Sequence, residues 1–286
     1  MREFRNRVAV ITGGASGVGR ALGEQLAAEG ARVVLADIDQ GRLDAAAAEI
    51  AADTGAEVVG LQVDVTKAES VEALAEAVWS RFGAVHLLFN NAGVGLGEAQ
   101  KTIWDLPLND WHWGFDVNVF GVVYGIRSFA PRMVASGEEG VIINTSSSNG
   151  GLRSLPNTPI YAASKAAVTS ISEVLYQQLL REGDKVRAAV LFPGPHVVNT
   201  SILASKRNRP ADYGAQDKPA YETMEDLVRT TGLKMALTEP EEVASFALAG
   251  IRAGKFWLLP ESAEGDQKIN ERMDALLARN NPVSAW

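Results

Sequence analysis

The chain has 286 residues, of which 47% are hydrophobic and 22% charged, a balance typical of a globular protein with a sizeable core. Its formal net charge of −8 argues against a nucleic-acid partner, which needs a basic surface. The absence of cysteine excludes disulfides, zinc–thiolate sites and cysteine nucleophiles.

The first half of the chain alternates short apolar runs with helical patterns. Strands are predicted at residues 8–11, 31–36, 57–63 and 85–89, and helices at 20–29, 43–52 and 71–82. Strands that alternate with helices indicate βαβ units, in which a parallel sheet carries helices on both faces.

The second half continues the alternation. Helices are predicted at residues 111–133 and 159–181, and strands at 141–144, 186–191 and 256–259. No repeat or linker marks a second domain. The expected fold is therefore a single α/β domain, a doubly wound (Rossmann) parallel seven-stranded sheet with helices on both faces.

Two segments depart from this alternation. An insertion at about residues 201–233 is long for a passive connector, and it is predicted to be a mobile cover over the substrate, partly helical from residue 221 to 229. A helical tail at about residues 261–286 follows the last strand, and its helix at 263–279 is expected to face solvent or another subunit.

The N-terminal residues predict the compartment. Residues 1–7 are charged and lead directly into the first strand, without a signal-peptide core. No apolar run approaches the roughly 18 residues of a membrane-spanning helix. A soluble, cytoplasmic protein with no membrane partner is therefore expected.

Three glycines, Gly13, Gly17 and Gly19, lie between the first strand and the first helix. In that position glycines let backbone N–H groups and the helix N-terminus approach a pyrophosphate, and Ser16 and Val18 belong to the same loop. The glycines alone are also compatible with an ordinary turn. Their placement between a strand and a helix favours dinucleotide binding.

Asp37, at the end of the second strand, is predicted to select NAD. A carboxylate there hydrogen-bonds both ribose hydroxyls, whereas the 2′-phosphate of NADP would bring about two negative charges to roughly 5 Å and cost about 1.7 kcal/mol even in water. No basic residue in the glycine loop offsets this repulsion. The alternative is that Asp37 only caps the following helix. Ile38, Asp64 and Val65 are assigned to the same adenosine pocket, with Asp64 at the adenine amine.

Tyr161 and Lys165 lie four residues apart on a predicted helix and so share one of its faces, which Ser148 can reach from the end of a strand. Such a trio makes a proton-transfer site, in which the serine orients a substrate oxygen, the tyrosine exchanges its proton and the lysine keeps the tyrosine acidic. One cation about 4 Å away at an effective dielectric of ~20 contributes about 4 kcal/mol, enough to bring proton release by a phenol towards neutral pH. The alternative is an ordinary helix face with an exposed lysine.

Taken together, these residues resemble the short-chain dehydrogenases/reductases. The resemblance runs from Val8 to about Thr200 and resumes at the last strand. The matching motifs are Thr12-Gly13-x-x-x-Gly17-x-Gly19, Asp64, Asn90-Asn91-Ala92-Gly93, Asn118, Ser148, Tyr161-x-x-x-Lys165 and Pro193-Gly194.

The resemblance implies roles for several residues. Asn118 is expected to bend its helix and hold a water that links Lys165 to solvent, which completes a tetrad with Ser148 and Tyr161. Lys165 is also expected to bind the nicotinamide ribose. The resemblance assigns the adenine-ribose side of the cofactor to Asn91, Ala92 and Gly93, and the nicotinamide side to Pro193, Gly194, Val198 and Thr200. Two extra residues after Pro193 leave the roles of His196, Val198 and Thr200 open.

The predicted activity is that of an NAD-dependent oxidoreductase that interconverts a secondary alcohol and a ketone, with Tyr161 as general acid/base. An apolar or aromatic small molecule is the expected substrate, because the candidate pocket wall is apolar. The candidates for that wall are Leu152, Leu155, Pro156, Tyr213 and Met224. Two alternatives are an NAD-binding redox sensor without turnover and an epimerase or dehydratase of the same fold.

No metal is expected, because His86, His112 and His196 are not spaced as metal ligands. His196 alone lies near the predicted nicotinamide loop, where contact with substrate is the less favoured alternative to a structural role. The resemblance implies a homodimer or homotetramer that pairs through the helices at 111–133 and 159–181.

Overall fold

A computed structural model describes residues 1–98, 101–183, 185–214, 223, 224, 226, 229 and 236–282. Its strands are β1 (Val8–Thr12), β2 (Arg32–Asp37), β3 (Val58–Gln62), β4 (Leu87–Asn90), β5 (Gly140–Thr145), β6 (Val186–Leu191), β7 (Val197–Val198), β8 (Leu237–Thr238) and β9 (Trp257–Leu258). Its helices are α1 (Gly17–Ala28), α2 (Gln40–Thr54), α3 (Ala68–Phe82), α4 (Leu108–Phe115), α5 (Gly121–Ser136), α6 (Pro159–Glu182), α7 (Pro240–Arg252) and α8 (Ala263–Ala278).

Seven strands form one parallel sheet in the order β3-β2-β1-β4-β5-β6-β9. The chain moves outward from β1 to β3 on one side and from β4 to β9 on the other. A crevice for ligands forms where this direction reverses, at the carboxyl ends of β1 and β4. The predicted doubly wound seven-stranded fold is confirmed.

Both faces of the sheet are covered by helices, because alternate residues of each strand point to opposite sides. On one face Ala9 and Ile11 pack with α1, α2 and α7. On the other face Val8 and Val10 pack with α3, α5 and α6. All four of these β1 side chains are fully buried. The cores therefore hold β1 between two layers and leave only its carboxyl end open to the cleft.

Three features of the second half differ from the sequence-based expectation. The single helix predicted at 111–133 is divided into α4, a π-helical turn at Asp116–Phe120, and α5. The helix α7 was not predicted, although Pro240 at its start and its buried residues at helical spacing are ordinary helix signals. The short strands β7 and β8, which pair with each other in a separate two-stranded sheet, were not predicted either.

The predicted insertion is described only in part. Residues 201–208 and 211–213 form 3₁₀ turns, and most of the helix expected at 221–229 lies outside the described residues. In the tail, α8 buries none of its side chains completely. No helix in the described ranges is both long enough and apolar enough to cross a membrane.

Candidate active site

A cleft of about 1120 Å³ lies at the carboxyl ends of the parallel strands. The residues on its wall that were predicted to bind the cofactor are Gly13, Ser16, Gly17, Val18, Asp37, Ile38, Asp64, Val65, Asn91, Ala92, Gly93, Tyr161, Lys165, Pro193, Val198 and Thr200. Of the remaining predicted residues, Gly19, Gly194 and Asn118 are not part of the wall.

The loop after β1 has the shape that a pyrophosphate needs. Gly17 has a φ of +53°, which favours glycine, and a Cβ on Gly19 would lie 2.2 Å from the carbonyl oxygen of Gly13. Ser16, the residue before α1, makes no side-chain capping bond, and the first turn of α1 carries no acidic residue. The free N–H groups and the positive end of the helix dipole therefore suit an anionic group.

Asp37 reaches the same loop from β2. Its carboxylate accepts hydrogen bonds from the backbone N–H of Ala15 (3.2 Å) and of Asp39 (3.1 Å). The cap of α2 is Asp39, whose side chain accepts from the N–H of Arg42. The alternative role for Asp37 as the cap of α2 is therefore wrong.

Three further residues on the cofactor side of the cleft, Asp64, Arg42 and Arg207, have surroundings that the sequence did not predict. Asp64 accepts from the N–H (2.9 Å) and the hydroxyl (2.7 Å) of Thr66, so its carboxylate is already engaged. Arg42 and Arg207 line the cleft, and both lie near enough to the acidic residues at the end of β2 to interact with them electrostatically. These two arginines were not predicted to lie at the cofactor, because both are distant in sequence from the glycine loop.

The loop after β6 contains the short strand β7. The backbone N–H of His196 donates to the hydroxyl of Thr238 (3.2 Å), and β7 pairs with β8. Thr200 then lies against the glycine loop, with its methyl carbon 3.0 Å from where a Cβ on Gly17 would be. His196 lines the cleft.

Asn118 lies in the π-helical turn, fully buried, and connects three elements. Its side chain accepts from the N–H of Val94 (2.8 Å) and donates to the carbonyl of Val94 (3.2 Å) and to the hydroxyl of Ser164 (3.1 Å). The extra residue of a π-turn turns a side chain out of the regular helical register. Asn118 thereby ties the loop after β4 to α6, and the proton relay through it stays a prediction.

Tyr161 and Lys165 lie together on α6, as their spacing predicted. The Nζ of Lys165 is 5.7 Å from the centre of the Tyr161 ring and donates to the carbonyl of Thr145 (2.8 Å). Ser147 is the serine whose side chain interacts with the phenol of Tyr161, and this interaction lowers the pKa of the phenol. The structure therefore brings Ser147 to the position that a thirteen-residue spacing assigned to Ser148.

The direction of the chain after β5 explains this one-residue difference. Ser147 is still extended, with φ −158° and ψ 150°, and its hydroxyl accepts from the N–H of Asn149. Ser146, one residue earlier, is buried, and its hydroxyl bonds the carbonyl of Lys165 (2.8 Å) and the hydroxyl of Thr169 (2.7 Å), both on α6. The chain turns at Ser148, which begins the segment Ser148–Leu152 with an exposed side chain.

Burial acts against charge on both members of the tyrosine–lysine pair. It is the largest influence on the pKa of Tyr161 and raises it, while the hydrogen bond from Ser147 lowers it and the charge of Glu98 raises it. Burial also lowers the pKa of Lys165 to about 8. Burial therefore opposes the acidic phenol that the sequence predicts, and the lowering of its pKa by Lys165 stays a prediction.

Glu98 is a site residue that the sequence analysis missed. Its carboxylate, only 2% exposed, accepts from the backbone N–H groups of Ile160 (2.5 Å) and Tyr161 (2.9 Å) at the start of α6. Burial raises the pKa of Glu98 to about 7. No spacing rule connects a loop glutamate to a helix some sixty residues later.

The wall of the cleft is mainly apolar. It includes Leu96, Trp113, Val117, Leu152, Leu155, Ile202, Leu203, Met224 and Ile269. Of the predicted wall residues, Leu152, Leu155 and Met224 are present, whereas Pro156 and Tyr213 are not. Tyr213 instead donates a hydrogen bond to the carboxylate of Asp116 (2.9 Å). The N-terminal part of α8 also lines the cleft, which the sequence analysis did not predict.

A glycine loop, an acidic residue at the end of β2 and a tyrosine–lysine pair in one cleft define a nucleotide-dependent oxidoreductase of the doubly wound class. A sequence model described as short chain dehydrogenase matches residues 7–211. The chain belongs to the short-chain dehydrogenase/reductase family.

Three known proteins illustrate what this chain is similar to. A short-chain dehydrogenase/reductase from Burkholderia phymatum, solved in complex with NAD, is 38% identical, with a TM-score of 0.90 over 100% of this chain and 99% of its own. A metagenomic short-chain oxidoreductase in complex with NADP is 26% identical, with a TM-score of 0.66 over 87% and 91%. The 1-deoxy-11-beta-hydroxypentalenate dehydrogenase of Streptomyces avermitilis is 39% identical over 65% of this chain and 67% of its own.

Proposed function

We propose that this oxidoreductase is an NAD-dependent dehydrogenase that interconverts a secondary alcohol and a ketone, with Tyr161 as the general acid/base. One observation carries the proposal: Tyr161, hydrogen-bonded to Ser147 and beside the buried Lys165, faces the same cleft as the glycine loop. The relative that is named as a dehydrogenase of a hydroxylated pentalenate supports an alcohol as the substrate class.

In the oxidative direction the Tyr161 oxygen takes the proton of the substrate hydroxyl. Ser147 takes the role first assigned to Ser148. It hydrogen-bonds both the Tyr161 oxygen and the substrate oxygen, between which the proton moves. When bound, the nicotinamide cofactor supplies the hydride acceptor. Lys165, whose pKa lies at about 8, exchanges protons near neutral pH and holds a positive charge beside the developing phenolate. Asn118 keeps α6 against the loop after β4, so that Tyr161 and Lys165 stay aligned.

Asp37 is the residue that favours NAD over NADP in this proposal. Two backbone N–H groups hold its carboxylate beside the glycine loop, where a 2′-phosphate would meet its charge. Arg42 and Arg207 weaken this preference, because they line the same end of the cleft. The relative with bound NAD is similar over the whole chain and supports the same choice.

Replacing Asp37 with serine is expected to reduce the preference for NAD by about tenfold or more, because the repulsion of a 2′-phosphate amounts to about 1.7 kcal/mol in water. Dissociation constants of both nucleotides, measured by calorimetric titration of the wild type and the variant, give this ratio. Asp53→Ser, which alters an exposed position on α2, serves as the control and leaves the ratio unchanged. A wild type that binds NADP as tightly as NAD contradicts the role of Asp37.

The substrate is proposed to be a bulky apolar or aromatic alcohol, because the cleft that Tyr161 faces is lined by many aliphatic side chains and by Trp113. We expect the wild type to form NADH, monitored by its absorbance, from aromatic secondary alcohols faster than from small polar ones. A redox sensor binds NAD without forming NADH. An epimerase or dehydratase consumes substrate without net NADH, so product analysis by chromatography separates the two alternatives.

A homodimer or homotetramer is part of the same proposal. On α6, the large apolar side chains of Val174 and Leu180 are 51% and 55% exposed, respectively. Contact between α6 helices of two copies would cover them.

A further inference from the structure

The carboxylate of Glu98 takes the place of a helix cap at the start of α6. The first helical residue, Pro159, has no N–H, and Thr158 before it makes no side-chain capping bond. The amide of Ala162 already donates to the carbonyl of Thr158 (2.8 Å). The two remaining first-turn donors, those of Ile160 and Tyr161, both donate to Glu98.

The backbone around Glu98 brings its side chain to this position. Gly97 has a φ of +59°, a conformation that favours glycine, and it turns the chain at the end of the loop that follows β4. Glu98 also lines the cleft. Tyr161 is therefore held at two points, by Glu98 at its backbone N–H and by Ser147 at its hydroxyl.

Charged groups surround Glu98 on several sides. Asp110 of α4 faces it and raises its pKa, and Asp110 is itself paired with Arg209 at 2.7 Å. On its own loop, the carbonyl of Glu98 accepts from the backbone N–H of Lys101 (3.2 Å). On α6, the charge of Glu98 acts on the phenol of Tyr161 and raises its pKa. Glu98 thus connects a buried charge cluster to the tyrosine.

We propose that Glu98 is a positioning residue for Tyr161, holding the first turn of α6 in place and setting the pH range in which Tyr161 exchanges its proton. The inference rests on the proposed function of Tyr161 as the general acid/base. An ionised Glu98 accepts both N–H bonds, whereas a protonated carboxyl needs one oxygen to carry its proton. Protonation of Glu98 therefore loosens the cap and at the same time removes the negative charge beside the phenol.

Two variants separate the effect of the negative charge of Glu98 from its effect as the cap of α6. Glu98→Gln keeps the size of the side chain and one acceptor but removes the charge, so the midpoint of the pH dependence of kcat/KM moves to lower pH. Glu98→Ala removes both acceptors, and kcat falls by about tenfold to a hundredfold because Tyr161 is displaced. Glu69→Gln, which alters an exposed glutamate in the first turn of α3, is the matched control and leaves both quantities unchanged.

The role of Glu98 and the proposed function of the protein are overturned by different results. An unchanged pH midpoint in a folded, active Glu98→Gln variant overturns the role of Glu98 and leaves the proposed function intact. Turnover that survives Tyr161→Phe overturns the proposed function itself. The midpoint for proton loss from Tyr161 can also be measured without catalysis, by titrating the tyrosinate absorbance in the absence of substrate. The signal of Tyr161 is the difference between each protein, wild type or Glu98→Gln, and the same protein carrying Tyr161→Phe.

A measurement on the wild type needs no Glu98 variant. The protein is labelled with nitrogen-15 at its tyrosines, of which the chain has five, and the amide signal of Tyr161 is assigned by its loss in Tyr161→Phe. Because its N–H donates to Glu98, this signal is expected to shift with a midpoint near the pKa of Glu98, about 7. A signal that does not titrate between about pH 5 and pH 9 overturns the inference.

Discussion

The Tyr161→Phe variant is expected to lose about 10²–10⁴-fold in kcat, a far larger change than any in its affinity for NAD. The substitution removes one oxygen and keeps the ring, so that the packing of α6 is preserved. Without the phenol, no group bonded to Ser147 and next to Lys165 remains to take the proton of the substrate. Steady-state rates of NADH formation and a calorimetric titration with NAD measure the two quantities.

Tyr213→Phe is the matched control for this prediction. It removes a hydroxyl that donates to Asp116 and lies outside the cleft wall. We expect its kcat to stay within about threefold of the wild type, since a single lost hydrogen bond is worth about 0.5–1.5 kcal/mol and acts on folding. A Tyr161→Phe variant as active as Tyr213→Phe contradicts the proposed chemistry.

The second large effect is expected in stability. The ion pair between Arg209 and Asp110 is buried, with side chains only 4% and 7% exposed, and the guanidinium lies over the ring of Trp113 at 5.0 Å. The Asp110→Ala variant leaves the guanidinium without its counter-charge and should lose about 3–5 kcal/mol of unfolding free energy. Equilibrium denaturation in urea measures this loss.

Two further variants of this chain serve as comparisons for the stability loss of Asp110→Ala. Glu57→Ala breaks an exposed pair with Arg81, whose side chains are 44% and 54% exposed, and is expected to cost about 0–1 kcal/mol. Replacing both members of the buried pair, with Asp110→Leu and Arg209→Met together, should cost less than Asp110→Ala alone. A single-variant loss under about 1 kcal/mol would show that Arg209 reaches water.

The same ion pair matters for the substrate side of the cleft. Arg209 follows the 3₁₀ segment Ser201–Asn208, from which Ile202 and Leu203 contribute to the cleft wall. Its side chain also donates to the carbonyl oxygens of Tyr213 (2.7 Å) and Gly214 (2.9 Å). The segment predicted as a mobile cover is therefore fastened to α4 through Asp110 where the structure describes it.

Local sequence patterns predicted the fold well, because they record burial and backbone geometry. A strand covered on both faces reads as a continuous apolar run, as in β1 and β5, and a glycine-rich turn before a helix has few other uses. The pairing of Tyr161 with Lys165 follows from four-residue spacing on α6. These features depend on neighbours within a few residues, so one sequence is enough to predict them.

The fine structure of the site depended on where distant segments meet. Whether Ser147 or Ser148 reaches Tyr161 is decided by the residue at which the chain turns after β5, and a count of thirteen residues cannot detect that turn. The π-helical turn at Asn118 likewise adds one residue to a helix whose apolar periodicity hides it.

The sequence by itself determined the class of this protein: a doubly wound sheet, a dinucleotide loop and a tyrosine–lysine pair on one helix face. Only the tertiary structure decided what surrounds that tyrosine, including the Glu98 carboxylate on its backbone N–H and the burial that raises its pKa. The physical reason is that desolvation and charge act through space over a few ångströms, whereas sequence patterns record order along the chain.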